Sequence, residues 1–314
     1  MRHFLKETDM EPQELNDLFE FANDLKQHRK EHPTRPLERQ SWGLLFYKNS
    51  TRTRVSFQVG IHELGGQCIT LTADNTQITR GESVRDTAKV LGRYLHGLVI
   101  RSYEHEVIEM FAQESDVPII NALTDYLHPC QIYSDLFTLA ERWCPGKPSL
   151  EAFKGKKLAF LGDTSCNMAN SWILGGALTD MTIAMAGPAD YPPAEPIRDE
   201  LEKAGLKENF YYTEDPVEAI RDADVVYTDV WVSMGRETEE IERIPKMKPY
   251  AVTMELMKQA NPEALFMHCL PAHPELEVSQ QVLDSPHSIV FDQAENRLHM
   301  QKAILSKLIE EETR

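Results

Sequence analysis

Short apolar runs set between amphipathic stretches constrain this chain more than any other feature, and the pattern occurs twice. In the first half the runs cover 43–47, 67–71, 98–100 and 117–121; in the second they cover 157–161, 182–186, 225–229 and 265–268. Each is too short for a helix and fits a strand, while the stretches between them have helical spacing. Strands alternating with helices build parallel sheets. The expected fold class is α/β: two doubly wound domains with parallel sheets, joined by interdomain helices that include the C-terminal one.

Size points the same way, because 314 residues exceed what one core normally supports. The boundary is placed near 145, where Pro145, Gly146 and Pro148 end the helix begun near Gln131. A first helix over 11–28 is predicted from Leu15, Leu18, Phe19, Ala22 and Leu25, with Thr8 or Asp9 as its cap. A last helix over 293–309 is predicted from Leu298, Ala303, Ile304, Leu305 and Leu308, and is expected to pack back onto the first domain. The expected division is 1–145, 146–292 and a terminal helical segment, 293–314.

The formal charge of −17 argues against a phosphate-tracking surface, so no nucleic-acid partner is expected and any anionic ligand must be held locally. No stretch approaches the roughly 20 apolar residues of a spanning helix, and no membrane partner is expected. The first residues carry charge where a signal peptide needs an apolar core, which points to a cytoplasmic chain. Cys68, Cys130, Cys144, Cys166 and Cys269 form neither a disulfide framework nor a Cys-x-x-Cys pair, so each is expected as a free thiol.

The densest chemistry lies in Ser50-Thr51-Arg52-Thr53-Arg54, where an apolar strand ends and a helix begins. Free backbone N–H groups and the positive end of the helix dipole face outward there, while the hydroxyls and the planar Arg52 fork add donors. That is an anion site, suited to phosphate; the alternative is a capped helix with solvated arginines. Arg101 and His128 also follow predicted strands, and ligands of open α/β sheets bind outside the carboxyl ends of strands. Singly, Arg101 reads equally as a surface charge and His128 as a cap.

In the second half, the strand ending at Gly162-Asp163 lacks the Gly-x-Gly-x-x-Gly fingerprint, so a dinucleotide is not expected. The polar run Thr164–Ser171 suits a small polar ligand. Asp229 ends the next strand but one and suits an ammonium group, or else caps a mobile surface loop. His268-Cys269-Leu270-Pro271 leaves a strand at a thiol, which makes Cys269 a candidate active-site group by position or else a buried inert cysteine; no second Cys/His pair stands nearby at metal-ligand spacing, so a metal site is not expected.

Taken in order, these motifs resemble those of the ornithine transcarbamylases over nearly the whole chain. Ser50-Thr51-Arg52-Thr53-Arg54 and His128-Pro129-Cys130-Gln131 resemble the carbamoyl-phosphate motifs shared with aspartate transcarbamylases. Asp229-Val230-Trp231-Val232-Ser233-Met234-Gly235 resembles the family's ornithine loop, and His268-Cys269-Leu270-Pro271 its cysteine motif; aspartate enzymes have neither. The resemblance implies that Ser50, Thr51, Arg52, Thr53, Arg101, His128, Pro129, Cys130 and Gln131 hold carbamoyl phosphate. It implies that Asn167, Asp229, Ser233 and Met234 hold the head group of L-ornithine, and that Cys269, Leu270 and Arg297 complete the reacting centre. Of these, Arg52, Arg101, His128, Asp229, Cys269 and Arg297 carry the catalytic roles.

It further implies a homotrimer with sites at subunit interfaces, Gln77 reaching the neighbour's carbamoyl phosphate, no cofactor, no metal, and a place in arginine metabolism. The domains would then be a carbamoyl-phosphate-binding one (1–145) and an ornithine-binding one (146–292). Tyr47 and Gln58 depart from the Glu found in many members, and Cys166 from an Asn. The competing functions are transfer to putrescine or another diamine, and a non-catalytic paralogue that only binds carbamoyl phosphate.

Overall fold

The computed structural model describes residues 2–77, 81–232 and 237–310. The chain divides into two compact units, Met1–Ala152 with Glu295–Arg314, and Phe153–Ala294.

The first unit runs α1 (Pro12–Gln27), β1 (Ser41–Phe46), α2 (Thr51–Glu63), β2 (Gln67–Thr72), α3 (Val84–Tyr94), β3 (Gly97–Arg101), α4 (His105–Glu114), β4 (Ile119–Leu123) and α5 (Pro129–Trp143). Its four strands form a wholly parallel sheet in the order β2-β1-β3-β4. The central strands are buried along their length, as strands covered on both faces must be, whereas the edge strand β2 is partly exposed. Leu45, Leu98 and Ile100 pack with Ile108 and Phe111 of α4 in the core.

The second unit runs β5 (Lys157–Leu161), α6 (Asn167–Thr179), β6 (Thr182–Ala186), α7 (Pro196–Lys203), β7 (Phe210–Thr213), α8 (Pro216–Ile220), β8 (Val225–Thr228), α9 (Glu240–Met247), α10 (Met254–Met257), β9 (Leu265–His268) and α11 (Gln280–Leu283). Its five strands are also all parallel, in the order β7-β6-β5-β8-β9. The last helix, α12 (Val290–Glu310), starts in this unit and enters the first at Glu295.

The α/β class with two parallel sheets is as the sequence predicts, with local differences. The strand β4 begins at Ile119, after Pro118, which has no N–H to give a ladder and contributes its carbonyl oxygen to Leu98 N instead. The strand β7 is absent from the expected set: it is a four-residue edge strand, and its half-exposed pattern carries little signal. Thr8 and Asp9 belong to a short 3-10 turn; α1 caps at Glu11, because Pro12 suits the first helical position. Among the described residues no helix is long and apolar enough to cross a membrane.

Within the first unit α12 is tied down by polar contacts as well as by its buried Ile304, Leu305 and Leu308. Asn296 Nδ2 donates to Thr138 Oγ1 at 3.0 Å, Lys26 Nζ reaches Asn296 Oδ1 at 2.9 Å, and Lys302 Nζ pairs with Glu63 at 2.7 Å. These contacts fix the helix on both sides of Arg297.

Candidate active site

In the first sheet the order reverses between β1 and β3, and the residues that follow these two strands are where an open α/β sheet places its ligand. Phe46 pairs in register with Arg101, so the Ser50–Arg54 stretch and Arg101 leave the sheet side by side. Ser50 is the N-cap of α2, and its Oγ accepts from Thr53 N at 3.2 Å. Thr51 and Arg52 form the first helical turn, exposed and half-buried respectively, beside the free N–H groups of a 13-residue helix.

Thr53 is fully buried, and its hydroxyl accepts from Arg297 Nη2 at 2.9 Å. The two residues are 244 positions apart, so this contact is made by the seating of α12. His128 is the N-cap of α5 with Pro129 at the first helical position, and it is buried. Burial holds its imidazole well below the ordinary value, and the charges of Arg297 and Arg101 push it the same way. It is therefore a neutral ring in a positive field at pH 7, able to donate a hydrogen bond to a carbonyl oxygen. Arg101 and Arg297 are themselves buried. Thr53, Arg101, His128 and Arg297 thus form one cluster.

Cys130 is buried, which pushes its thiol up to about 12, and it donates to Asn121 O at 3.3 Å. Gln131 is buried and donates to Asp135 Oδ1 at 2.8 Å, which fixes its amide. Gln77 is exposed in the segment after β2, where its carbonyl oxygen accepts from Glu82 N at 3.2 Å. Of the residues that depart from the family pattern, Gln58 bonds Thr70 of β2 at 2.7 Å, and the Tyr47 hydroxyl is buried and raised to about 12.

In the second sheet the order reverses between β5 and β8, and Leu161 pairs with Thr228 at their ends. Asn167 opens α6 just beyond β5, with Cys166 as the N-cap. Asp229 follows β8, and its Oδ1 accepts from Val230 N at 2.8 Å and from the Cys269 thiol at 3.0 Å. Leu270 has φ of 58°, and its N–H donates to His268 Nδ1 at 2.9 Å. Burial and the charges of Asp163 and Asp229 raise the Cys166 thiol well above its usual value, so this end of the sheet is acidic where the other unit's is basic. Ser233 and Met234 lie outside the described residues.

The structure brings together a group that spacing concealed. One ligand atom each from Asp229, His268 and Cys269 lie within 4.8 Å of one another, a donor set that a soft divalent cation could use. Arg243 is buried as well, although an arginine among glutamates reads in the sequence as a solvated charge.

The first half of the chain, residues 2–141, matches the aspartate/ornithine carbamoyltransferase carbamoyl-P binding domain, and residues 154–308 match the Asp/Orn binding domain of the same family. An ornithine carbamoyltransferase of Methanoculleus marisnigri is 47% identical over 309 residues, covering 98% of this chain and 97% of that protein. One of Archaeoglobus fulgidus is 45% identical, covering 100% and 99%. The solved ornithine carbamoyltransferase of Pyrococcus furiosus superposes with a TM-score of 0.89 at 41% identity, covering 98% of this chain and 97% of that one. The anabolic enzyme of Campylobacter jejuni gives 0.89 at 36% identity with both chains fully covered. With both halves matched in order and relatives this similar along almost their whole length, the chain belongs to the aspartate/ornithine carbamoyltransferase family.

Proposed function

We propose that this chain transfers the carbamoyl group of carbamoyl phosphate to the δ-amine of L-ornithine, giving L-citrulline and phosphate. The observation that carries the reading is the buried cluster of Thr53, Arg101, His128 and Arg297 beside the N-terminus of α2. It is a set of donors aimed at a doubly charged acyl phosphate and at the oxygen on which charge builds during acyl transfer. Relatives named ornithine carbamoyltransferase support the choice of acceptor, as does the carboxylate of Asp229 for an ammonium group.

In this reading the first unit is the donor domain and the second the acceptor domain. Ser50, Thr51, Arg52 and the α2 N-terminus hold the phosphate, with Gln131 and the His128-Pro129-Cys130 turn on the carbamoyl end. Asp229, Asn167, Ser233 and Met234 hold the α-amino and carboxylate groups of ornithine. The δ-ammonium has an unperturbed pKa of about 10, so supplying the neutral amine at pH 7 means shifting about 4 kcal/mol in its favour. Desolvation beside Cys269 and the Leu270 carbonyl acts in that direction.

The neutral nitrogen attacks the carbonyl carbon and forms the new C–N bond. Negative charge collects on the carbonyl oxygen, where Thr53, Arg101, His128 and Arg297 stabilise it. The C–O bond to phosphate then breaks, Arg52 neutralises the leaving group, and the proton lost from nitrogen leaves with the phosphate. The assembly proposed is a homotrimer in which Gln77 completes the neighbour's site, working in the cytoplasm within arginine metabolism.

The test is an acceptor panel of ornithine, putrescine and aspartate with carbamoyl phosphate, run beside a sizing measurement. Citrulline from ornithine with the other two acceptors at least a hundredfold slower supports the reading. Carbamoylputrescine as the main product, or no product from any acceptor, would replace it with one of the competing functions.

A further inference from the structure

Arg243 sits on α9 in a glutamate-rich stretch and is nevertheless only 6% exposed. Its Nη1 donates to Asp163 Oδ2 at 2.6 Å and to the Trp231 carbonyl oxygen at 3.3 Å. Its Nε donates to Glu239 at 2.6 Å, and its guanidinium lies 4.7 Å from the centre of the Tyr191 ring. The other oxygen of Asp163 is taken by the turn that leads to Asn167, accepting from Ser165 N at 3.0 Å and from Ser165 Oγ at 2.6 Å.

Trp231, two residues beyond Asp229, lies against Gly162, where a Cβ would stand 3.1 Å from Trp231 Nε1. The guanidinium therefore joins the exit of β5, which carries Asn167, to the exit of β8, which carries Asp229. These exits adjoin at the switch point, as the pairing of Leu161 with Thr228 requires. A buried ion pair is seldom the most stable way to fill such a space, since an apolar pair avoids the desolvation cost. What the planar fork adds is direction, because it fixes several partners in one plane at once.

We infer that Arg243 is a positioning residue of the acceptor site, setting the distance between Asn167 and Asp229 that one amino-acid head group spans. The inference rests on the reading that the second unit takes ornithine.

The test uses the full chain with Arg243→Gln, Arg243→Lys, Asp163→Asn and the double variant Arg243→Gln/Asp163→Asn, each checked for a wild-type melting profile. Arg243→Gln is expected to raise the KM for ornithine at least tenfold, with the KM for carbamoyl phosphate within twofold of wild type. Arg243→Lys, which keeps the charge and loses the fork, is expected to fall between. The double variant is expected to be no worse than threefold from the poorer single one, because the two residues act through one contact. An unchanged ornithine KM, equal losses for both substrates, or multiplied losses in the double variant overturns the inference. If Arg243→Gln does not fold, Arg243→Lys and Asp163→Asn decide on the same split between substrates. Wild-type protein that makes no citrulline would instead overturn the functional reading itself.

Discussion

Replacing Arg297 with Met removes a charge and a donor while keeping the length of the side chain in α12. The structure gives two consequences. Arg297 is 3% exposed and bonded to Thr53 at 2.9 Å, so its charge acts where water screens it poorly. Losing one such donor from a site where negative charge develops costs about a hundred- to a thousandfold in turnover, about 3–4 kcal/mol. The second consequence concerns His128, which burial and then Arg297 and Arg101 hold far below its ordinary value. Without Arg297 one depressing charge is gone, so the imidazole pKa rises while burial and Arg101 keep it below about 6.5. The acid limb of kcat, where His128 becomes protonated, moves to higher pH in the variant. Steady-state citrulline formation across the pH range measures both effects, and a melting curve checks that the fold survives the loss of one charged hydrogen bond, which costs about 1.5–3 kcal/mol. A folded variant with turnover within threefold of wild type, or with its acid limb shifted to lower pH, would refute the reasoning.

Two further predictions follow from the same geometry. His299 is fully buried, with its pKa lowered to about 3 by burial and by Lys302, Lys26 and Arg29, so its stabilising contribution is complete above about pH 6.5 and is lost as pH falls toward 3. His299→Gln should remove a dependence of up to about 1.4 kcal/mol per pH unit, seen as urea midpoints that fall less steeply between pH 7 and 5 than those of wild type; parallel curves would reject it. Asp229→Asn should raise the KM for ornithine by more than tenfold and leave carbamoyl phosphate binding within twofold, and an equal loss on both substrates would contradict the assignment of Asp229 to the acceptor.

What the sequence reveals of this protein depends on how local each feature is. The candidate anion site in the first unit is legible in the sequence because Ser50 caps the helical turn that carries Thr51, Arg52 and Thr53, where spacing alone implies proximity. Arg297 was available only through resemblance, since nothing local links it to Thr53, 244 residues away. The contact between Asp229 and Cys269 spans 40 residues and arises because Thr228 and His268 are partners in adjacent strands. Arg243 was missed for a different reason: an arginine among glutamates on a short helix reads as a solvated charge, and only its seat against Asp163 and Tyr191 shows otherwise. In the fold, the fully buried central strands stood out as apolar runs, whereas β7 at the edge did not.

The bond the enzyme makes can be observed directly. With carbamoyl phosphate labelled with carbon-13 and ornithine labelled with nitrogen-15 at the δ position, the account predicts a ureido carbon coupled to that nitrogen, with one phosphate released per citrulline. Phosphate released with a ureido carbon that shows no coupling to the δ-nitrogen would contradict it.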